Sequence, residues 1–262
     1  MNARRNLAVT LIAGLGLAAL AGEPTVDEIV QKANLAAYYQ GEDGRASVQM
    51  VITDAQGRTR ERRFVILRRD VKDGADQKFY VYFEEPADVR KMAYLVWKHV
   101  DKDDDRWLYL PALDLVKRIA ASDKRTSFAG SNFFYEDVSG RGLAEDTHEL
   151  VETTADQYVL KNTPKDPKSV EFASYKLWID KKTFLPKKAE FVDAEGKVYR
   201  VVEALEVKDI QGFPTVVKSR VQDHRSGGNT VSEFSDVKYN LDLPDDVFSE
   251  RYLRRAPRKY LR

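Results

Sequence analysis

The chain has no cysteine in its 262 residues. This excludes a disulfide framework, a thiolate nucleophile, a soft metal ligand and a lipidated N-terminal cysteine. Histidine is almost as scarce: His99, His148 and His224 stand alone, without the HxxxH spacing that holds a metal. No GxSxG elbow and no GxGxxG or GxxxxGK[ST] phosphate cradle occurs, and Gly130-Ser131 lacks the second glycine of an elbow. Carboxylates are numerous but fall on alternating strand faces, so none can be paired for acid–base work. Asp101, Asp103 and Asp105 begin like a calcium loop, yet Arg106 stands where that loop needs glycine and Ala112 where it needs its bidentate glutamate. They read more simply as a solvated hairpin turn. The inventory points away from an enzyme and calls for no cofactor and no metal.

An excess of charge of one sign is missing too. With 43 Lys and Arg against 42 Asp and Glu, the net charge of +1 gives no reason to expect a nucleic-acid partner. Long apolar runs are limited to one, residues 7–17, which follows Arg4 and Arg5 and precedes the small-x-small site Ala19-Leu20-Ala21. It is shorter than the roughly 20 residues a spanning helix needs. Residues 1–21 therefore read as a cleaved secretory signal peptide, and the rest as a soluble, non-lipidated protein. The expected division is a signal peptide over 1–21, one domain over 22–250 and a basic tail over 251–262. The tail holds Arg251, Arg254, Arg255, Arg258, Lys259 and Arg262 without one acid. Such a run is either solvated or drawn to anionic lipid headgroups.

What the chain does have is alternation. Thr25-x-x-Glu28 is a capping box, and Val26, Ile29, Val30, Ala33 and Ala37 follow at helical spacing, which predicts one N-terminal helix. From Ala46 onwards apolar residues recur with period two, as in Ala46, Val48, Met50 and Ile52, and turn signals fall at Ala55-Gln56-Gly57, Ala194-Glu195-Gly196 and Gly227-Gly228-Asn229. Ten or so strands with a single good helix predict a mainly β (α+β) protein built on a large, curved antiparallel sheet. One helix cannot fill the mouth of such a sheet, so an apolar cavity is expected on the concave side.

The segment 105–137 is the densest in large apolar side chains. Trp107, Tyr109 and Leu110 lie on a strand ending at Pro111, and Phe128, Phe133, Phe134 and Tyr135 follow in a stretch punctuated by Gly130, Ser131 and Asn132. Each aromatic removes about 150–250 Å² from water when buried, so the group must meet a core, a ligand or a partner.

The residues of this segment carry a family resemblance. Arg106-Trp107-Leu108-Tyr109-Leu110-Pro111-Ala112, Lys117-Arg118-Ile119, Ser127-Phe128-Ala129-Gly130-Ser131-Asn132-Phe133 and Tyr135-Glu136-Asp137 resemble the outer membrane lipoprotein-sorting protein family of the LolA/LolB-like superfamily. The likeness extends more loosely through Tyr175-Lys176-Leu177-Trp178-Ile179-Asp180 and Val237-Lys238-Tyr239-Asn240. It implies an incomplete β-barrel under a helical lid that carries acyl chains across the periplasm, beside RND- or MMPL-type lipid exporters for several members.

The expected function is accordingly a periplasmic carrier of a lipid or lipoprotein acyl chain, bound towards the outer membrane. The alternative is a non-enzymatic accessory module docking on an inner-membrane RND/MMPL-type exporter. The expected cavity and lid residues are Trp97, Trp107, Tyr109, Leu110, Phe128, Phe133, Phe134 and Tyr135. Lys117, Arg118, Glu136 and Asp137 are expected to meet a headgroup or the lid, and Gly130 to serve as hinge.

Overall fold

The computed structural model describes residues 22–72 and 74–262; the segment read as a signal peptide lies outside the described residues. Helix α1 (Val26–Tyr38) starts where the capping box places it. The Thr25 hydroxyl accepts the Glu28 amide at 3.3 Å, and the Glu28 carboxylate accepts the Thr25 amide at 2.8 Å. Its apolar stripe, Ile29, Val30 and Ala33, packs on Tyr158, Leu160 and Ile179.

All the alternating segments join one antiparallel sheet of thirteen strands. The first six are β1 (Asp43–Thr53), β2 (Thr59–Asp70), β3 (Gln77–Glu85), β4 (Ala93–Lys98), β5 (Asp105–Leu110) and β6 (Leu115–Ile119). The other seven are β7 (Asp146–Thr153), β8 (Gln157–Pro164), β9 (Ser174–Asp180), β10 (Pro186–Val192), β11 (Val198–Ile210), β12 (Phe213–Asp223) and β13 (Gly228–Tyr239). Their spatial order is β6-β5-β4-β3-β2-β1-β13-β12-β11-β10-β9-β8-β7, two meanders stitched together where β1 pairs with β13. The sheet is curved and does not close: β6 and β7 are its two free edges, although they are consecutive in the chain. The connection between them, residues 120–145, must cross from one edge to the other, and it carries the short helix α2 (Tyr135–Ser139). This topology sets an irregular aromatic segment across the mouth.

In the first meander both faces of the sheet are buried. Phe64, Phe79, Val81, Phe83, Tyr94 and Val96 turn to the concave side. Their neighbours Val65, Leu67, Tyr80, Ala93 and Leu95 turn to the other. That outer face is covered by the C-terminal segment, through Leu243, Val247, Phe248, Leu253 (in helix α3, Arg251–Arg254) and Leu261. The indole N–H of Trp97 donates to the Phe248 carbonyl at 2.7 Å and the Tyr80 hydroxyl to the Tyr252 carbonyl at 2.8 Å. The stretch 251–262 is thus a strap packed on the sheet and not a free solvated tail, because an apolar pair recurs every four residues and one member of each pair is buried.

Among the described residues, no helix is long and apolar enough to cross a membrane.

Candidate functional site: a covered apolar cavity

The concave side of the sheet holds a cavity of about 530 Å³, within the range of roughly 300–1,000 Å³ typical of small-molecule sites. Its floor comes from both meanders: Val48, Met50 and Ile66 on one side, Leu177, Val202 and Phe234 on the other. Ile66, Leu177, Val202, Val216 and Phe234 are apolar residues in inward phase, yet each keeps part of its surface accessible. Ile66 and Phe234 pack along one side on the first-meander core, and Leu177 and Val202 on the smaller clusters of the second meander, but each keeps an open side towards the cavity, which distinguishes this floor from the closed cores on either side.

Two elements cover the floor. Helix α1 contributes Val30, Ala33 and Ala37, and the connection 120–145 contributes Phe128, Phe133 and Val138. Phe128 anchors the connection. It is 2% exposed and sits 5.5–6.0 Å, ring centre to ring centre, from Phe64, Phe83, Tyr94 and Tyr135. The chain then turns at Ala129 and Gly130, both at positive φ (51° and 74°), and returns so that the Phe128 amide donates to the Phe133 carbonyl at 2.8 Å. Asn132 reaches mid-sheet, its amide donating to the Thr230 hydroxyl at 3.0 Å.

A charged lattice ties the connection to the second meander. Glu136, 2% exposed, is met by Arg125 at 2.5 Å, Lys124 at 3.3 Å and Arg141 at 3.4 Å. Arg125 also holds Glu171 at 2.7 Å, and Arg141 holds Asp146 at 2.9 Å. Arg200, 1% exposed, donates to Asp137 at 2.5 Å and lies over the rings of Phe134 (4.5 Å) and Phe191 (5.2 Å). Burial opposes ionisation of Glu136, but Arg125, Lys124 and Arg141 together outweigh it and hold the carboxyl below its ordinary value of 4.5. Burial likewise pushes the Lys98 ammonium, which donates to the Ser139 carbonyl at 2.6 Å, down to about 8. Tyr38 packs so closely on Gly140 that a Cβ there would stand 2.5 Å from its ring. Helix α1 and the connection therefore form one continuous cover.

The residues expected at the site divide sharply. Phe128, Phe133, Glu136 and Asp137 line the cavity. Tyr135 and Leu110 pack in the adjoining concave core, and Phe134 lies between Arg125 and Arg200. Trp97, Trp107 and Tyr109 lie on the opposite face under the C-terminal strap, which corrects the reading of them as lining residues. The reason is register: Ala93, Leu95 and Trp97 share a face, and Trp97 and Trp107 meet there at 4.9 Å. Lys117 and Arg118 are on the edge strand β6, away from the cavity; Lys117 is exposed and Arg118 pairs with Asp105. Gly130 marks the tip of the aromatic turn, where its carbonyl accepts from Arg60 at 3.3 Å.

Sequence reading missed Arg125, Arg141, Arg200, Phe172 and Phe191. One signal was available, since Arg200 interrupts the inward phase that Val202 continues along β11. In the acidic turn Asp101 and Asp103 are exposed, whereas Asp104 accepts from Arg106 at 2.6 Å and Ser139 at 3.1 Å, and Asp105 and Asp76 flank His99. Among the described residues, no group of three or more His, Cys, Asp or Glu is placed to hold a metal ion.

Comparison with known proteins places this geometry in a family. A family model described as an uncharacterized protein matches residues 75–255. A DUF1329 family protein from Desulfovibrio piger is 30% identical over 87% of this chain and 97% of its own, with a TM-score of 0.78. A protein domain from Vibrio parahaemolyticus that carries an outer membrane lipoprotein-sorting designation gives the same identity, coverages and TM-score. A LolA superfamily protein from Nitrosomonas europaea, 24% identical over 88% of this chain and 100% of its own, shares the fold at a TM-score of 0.67. No curated protein matches in sequence.

Proposed function

Because this chain belongs to the DUF1329 family and shares the fold of LolA-like, outer membrane lipoprotein-sorting proteins, we propose that it is a periplasmic carrier that holds a lipid or lipoprotein acyl chain in the cavity between sheet and cover, on its way towards the outer membrane. The observation that carries this reading is the floor itself. Ile66, Leu177, Val202, Val216 and Phe234 stay partly accessible in a cavity of about 530 Å³, roofed by the apolar side of α1 and by Phe128 and Phe133.

Burying an acyl chain is worth about 0.8 kcal/mol per methylene, so a chain of about 14 carbons offers ample gross affinity before ordering costs. Release then requires the cover to shift. The contacts that such a shift must break are the Arg200–Asp137 and Arg125–Glu171 pairs, which tie the cover to the second meander, with Gly130 as the turn about which the aromatic loop moves. Nothing in this scheme asks for catalysis.

The rival reading, an accessory module docked on an RND/MMPL-type exporter, would use outward-facing aromatics. Phe128 and Phe133 are turned inward and Trp97 and Trp107 are under the strap, so the orientation favours the carrier.

Placing a bulky side chain on the floor tests the reading. Val202→Trp should cut the binding of a fluorescent long-chain fatty acid to delipidated protein at least tenfold and leave the β circular dichroism unchanged. Undiminished binding would contradict it.

A further inference from the structure

The C-terminal strap repeats with a period of four that separates two chemistries. Tyr252 and Leu253, Ala256 and Pro257, and Tyr260 and Leu261 turn to the sheet, with Leu253 and Leu261 buried. Between them Arg251, Arg254, Arg255, Arg258, Lys259 and Arg262 are all exposed. The end is fixed, since the Leu261 carbonyl accepts from Arg45 at 3.0 Å. Among the described residues, Arg251 pairs with Asp246 at 2.6 Å and Arg254 with Asp114 at 3.2 Å, whereas no acid pairs with Arg255, Arg258, Lys259 or Arg262. Four cations are thus displayed on a pre-ordered ridge with their charge unspent.

A second feature adjoins the ridge. Arg254 reaches Asp114 in the turn between β5 and β6, and that turn projects Leu113 (70% exposed) and, at its far end, Leu115 (45%) into solvent. Leu113 is the most exposed large apolar side chain among the described residues. An apolar prong beside a row of cations suits an interface that is anionic at its surface and apolar beneath it. A polyanion such as nucleic acid offers the prong nothing.

We infer that the C-terminal ridge and the Leu113 turn form a docking surface for an anionic phospholipid bilayer, with Arg255, Arg258, Lys259 and Arg262 meeting headgroups and Leu113 entering the interface. The surface lies across the sheet from the cavity, so its test is independent of the carrier reading.

The test is co-sedimentation of the purified protein with vesicles of phosphatidylglycerol and phosphatidylethanolamine, and with vesicles of phosphatidylcholine alone. Binding should be confined to the anionic vesicles and should fall as salt is raised. Each interfacial cation contributes about fivefold to partitioning, so the variant Arg255→Gln/Arg258→Gln/Lys259→Gln/Arg262→Gln should lose two orders of magnitude or more. Leu113→Ser should lose roughly tenfold at any salt concentration. Both variants alter solvent-facing atoms and should keep the wild-type urea midpoint. Equal binding to both vesicles, no binding to either, or undiminished binding by the four-fold variant would each overturn the proposal; the second would assign the ridge to an acidic protein partner.

Discussion

Arg200 on β11 donates to the carboxylate of Asp137 in α2 at 2.5 Å, across 63 residues of chain and across the mouth of the sheet. The Asp137 carboxylate also accepts the Phe134 amide at 2.6 Å, so the same group caps the start of α2. One carboxylate therefore fixes the local turn of the cover and its attachment to the second meander.

Removing the charge from that carboxylate should be costly. Asp137→Asn leaves a guanidinium that is 1% exposed without its anion. We expect a loss of about 3 kcal/mol, the low end for a broken buried pair, because the Asp137 side chain is 23% exposed. Urea unfolding measures this. A cycle with Arg200→Met should give a coupling of at least about 1 kcal/mol; additive effects would mean the pair does not hold the cover.

The two aromatic sets should respond oppositely to substitution. Phe133 is on the cavity wall and only partly buried, so Phe133→Ser should reduce lipid retention with little change in stability. Trp107 is 8% exposed under the strap, so Trp107→Ala should cost about 3–5 kcal/mol and leave lipid retention by the folded fraction intact. Parallel urea titrations and lipid extractions separate the two outcomes, and a reversed pattern would invert the assignment of faces.

Acid should loosen the charged lattice. The folded pKa of Glu136 is held below 4.5, so its stabilising contribution is complete above that value and disappears as the pH falls through the folded value. The urea midpoint should therefore drop on acidification below pH 4.5. Glu136→Gln removes the carboxylate that Arg125, Lys124 and Arg141 share but leaves them Glu171, Glu145 and Asp146, so it should cost about 3 kcal/mol at neutral pH, the low end for a broken buried pair. Its deficit relative to the wild type should shrink in acid, and a deficit independent of pH would show that Glu136 acts through packing alone.

Deleting residues 254–262 should destabilise the protein rather than merely remove charge. Leu261, Ala256 and Tyr260 pack against the outer face over Trp97 and Trp107, and exposing that face costs roughly 25 cal/mol per Å² of apolar surface. A lowered urea midpoint is expected for the deletion and an unchanged one for the glutamine variant of the ridge. Equal midpoints would mean the strap is only loosely applied.

Much of this architecture was legible in the residues. The capping box at Thr25 and Glu28 and the period-two runs fixed the helix, the strands and the class of sheet, because both signals are local. The facing of the tryptophans was not legible. On β4, Ala93, Tyr94, Leu95 and Val96 are all buried, so an apolar pattern on both faces leaves nothing to say which face is concave. The strap was hidden by its charge: six bases in twelve residues drew the eye from the apolar pairs between them. The arginine lattice was out of reach for a different reason. Arg125 and Arg141 are near Glu136 in sequence, but nothing local says that all three turn inward, and Arg200 meets Asp137 only because the connection crosses from one free edge of the sheet to the other, a relation no window of sequence contains.

The carrier reading is tested most directly by native mass spectrometry of the protein purified without detergent from the cells that make it, with solvent extraction of what is bound. A discrete adduct of lipid mass, present on the wild type and absent from Val202→Trp, is the result this account predicts. A clean apo mass that persists after incubation with envelope lipids would contradict it.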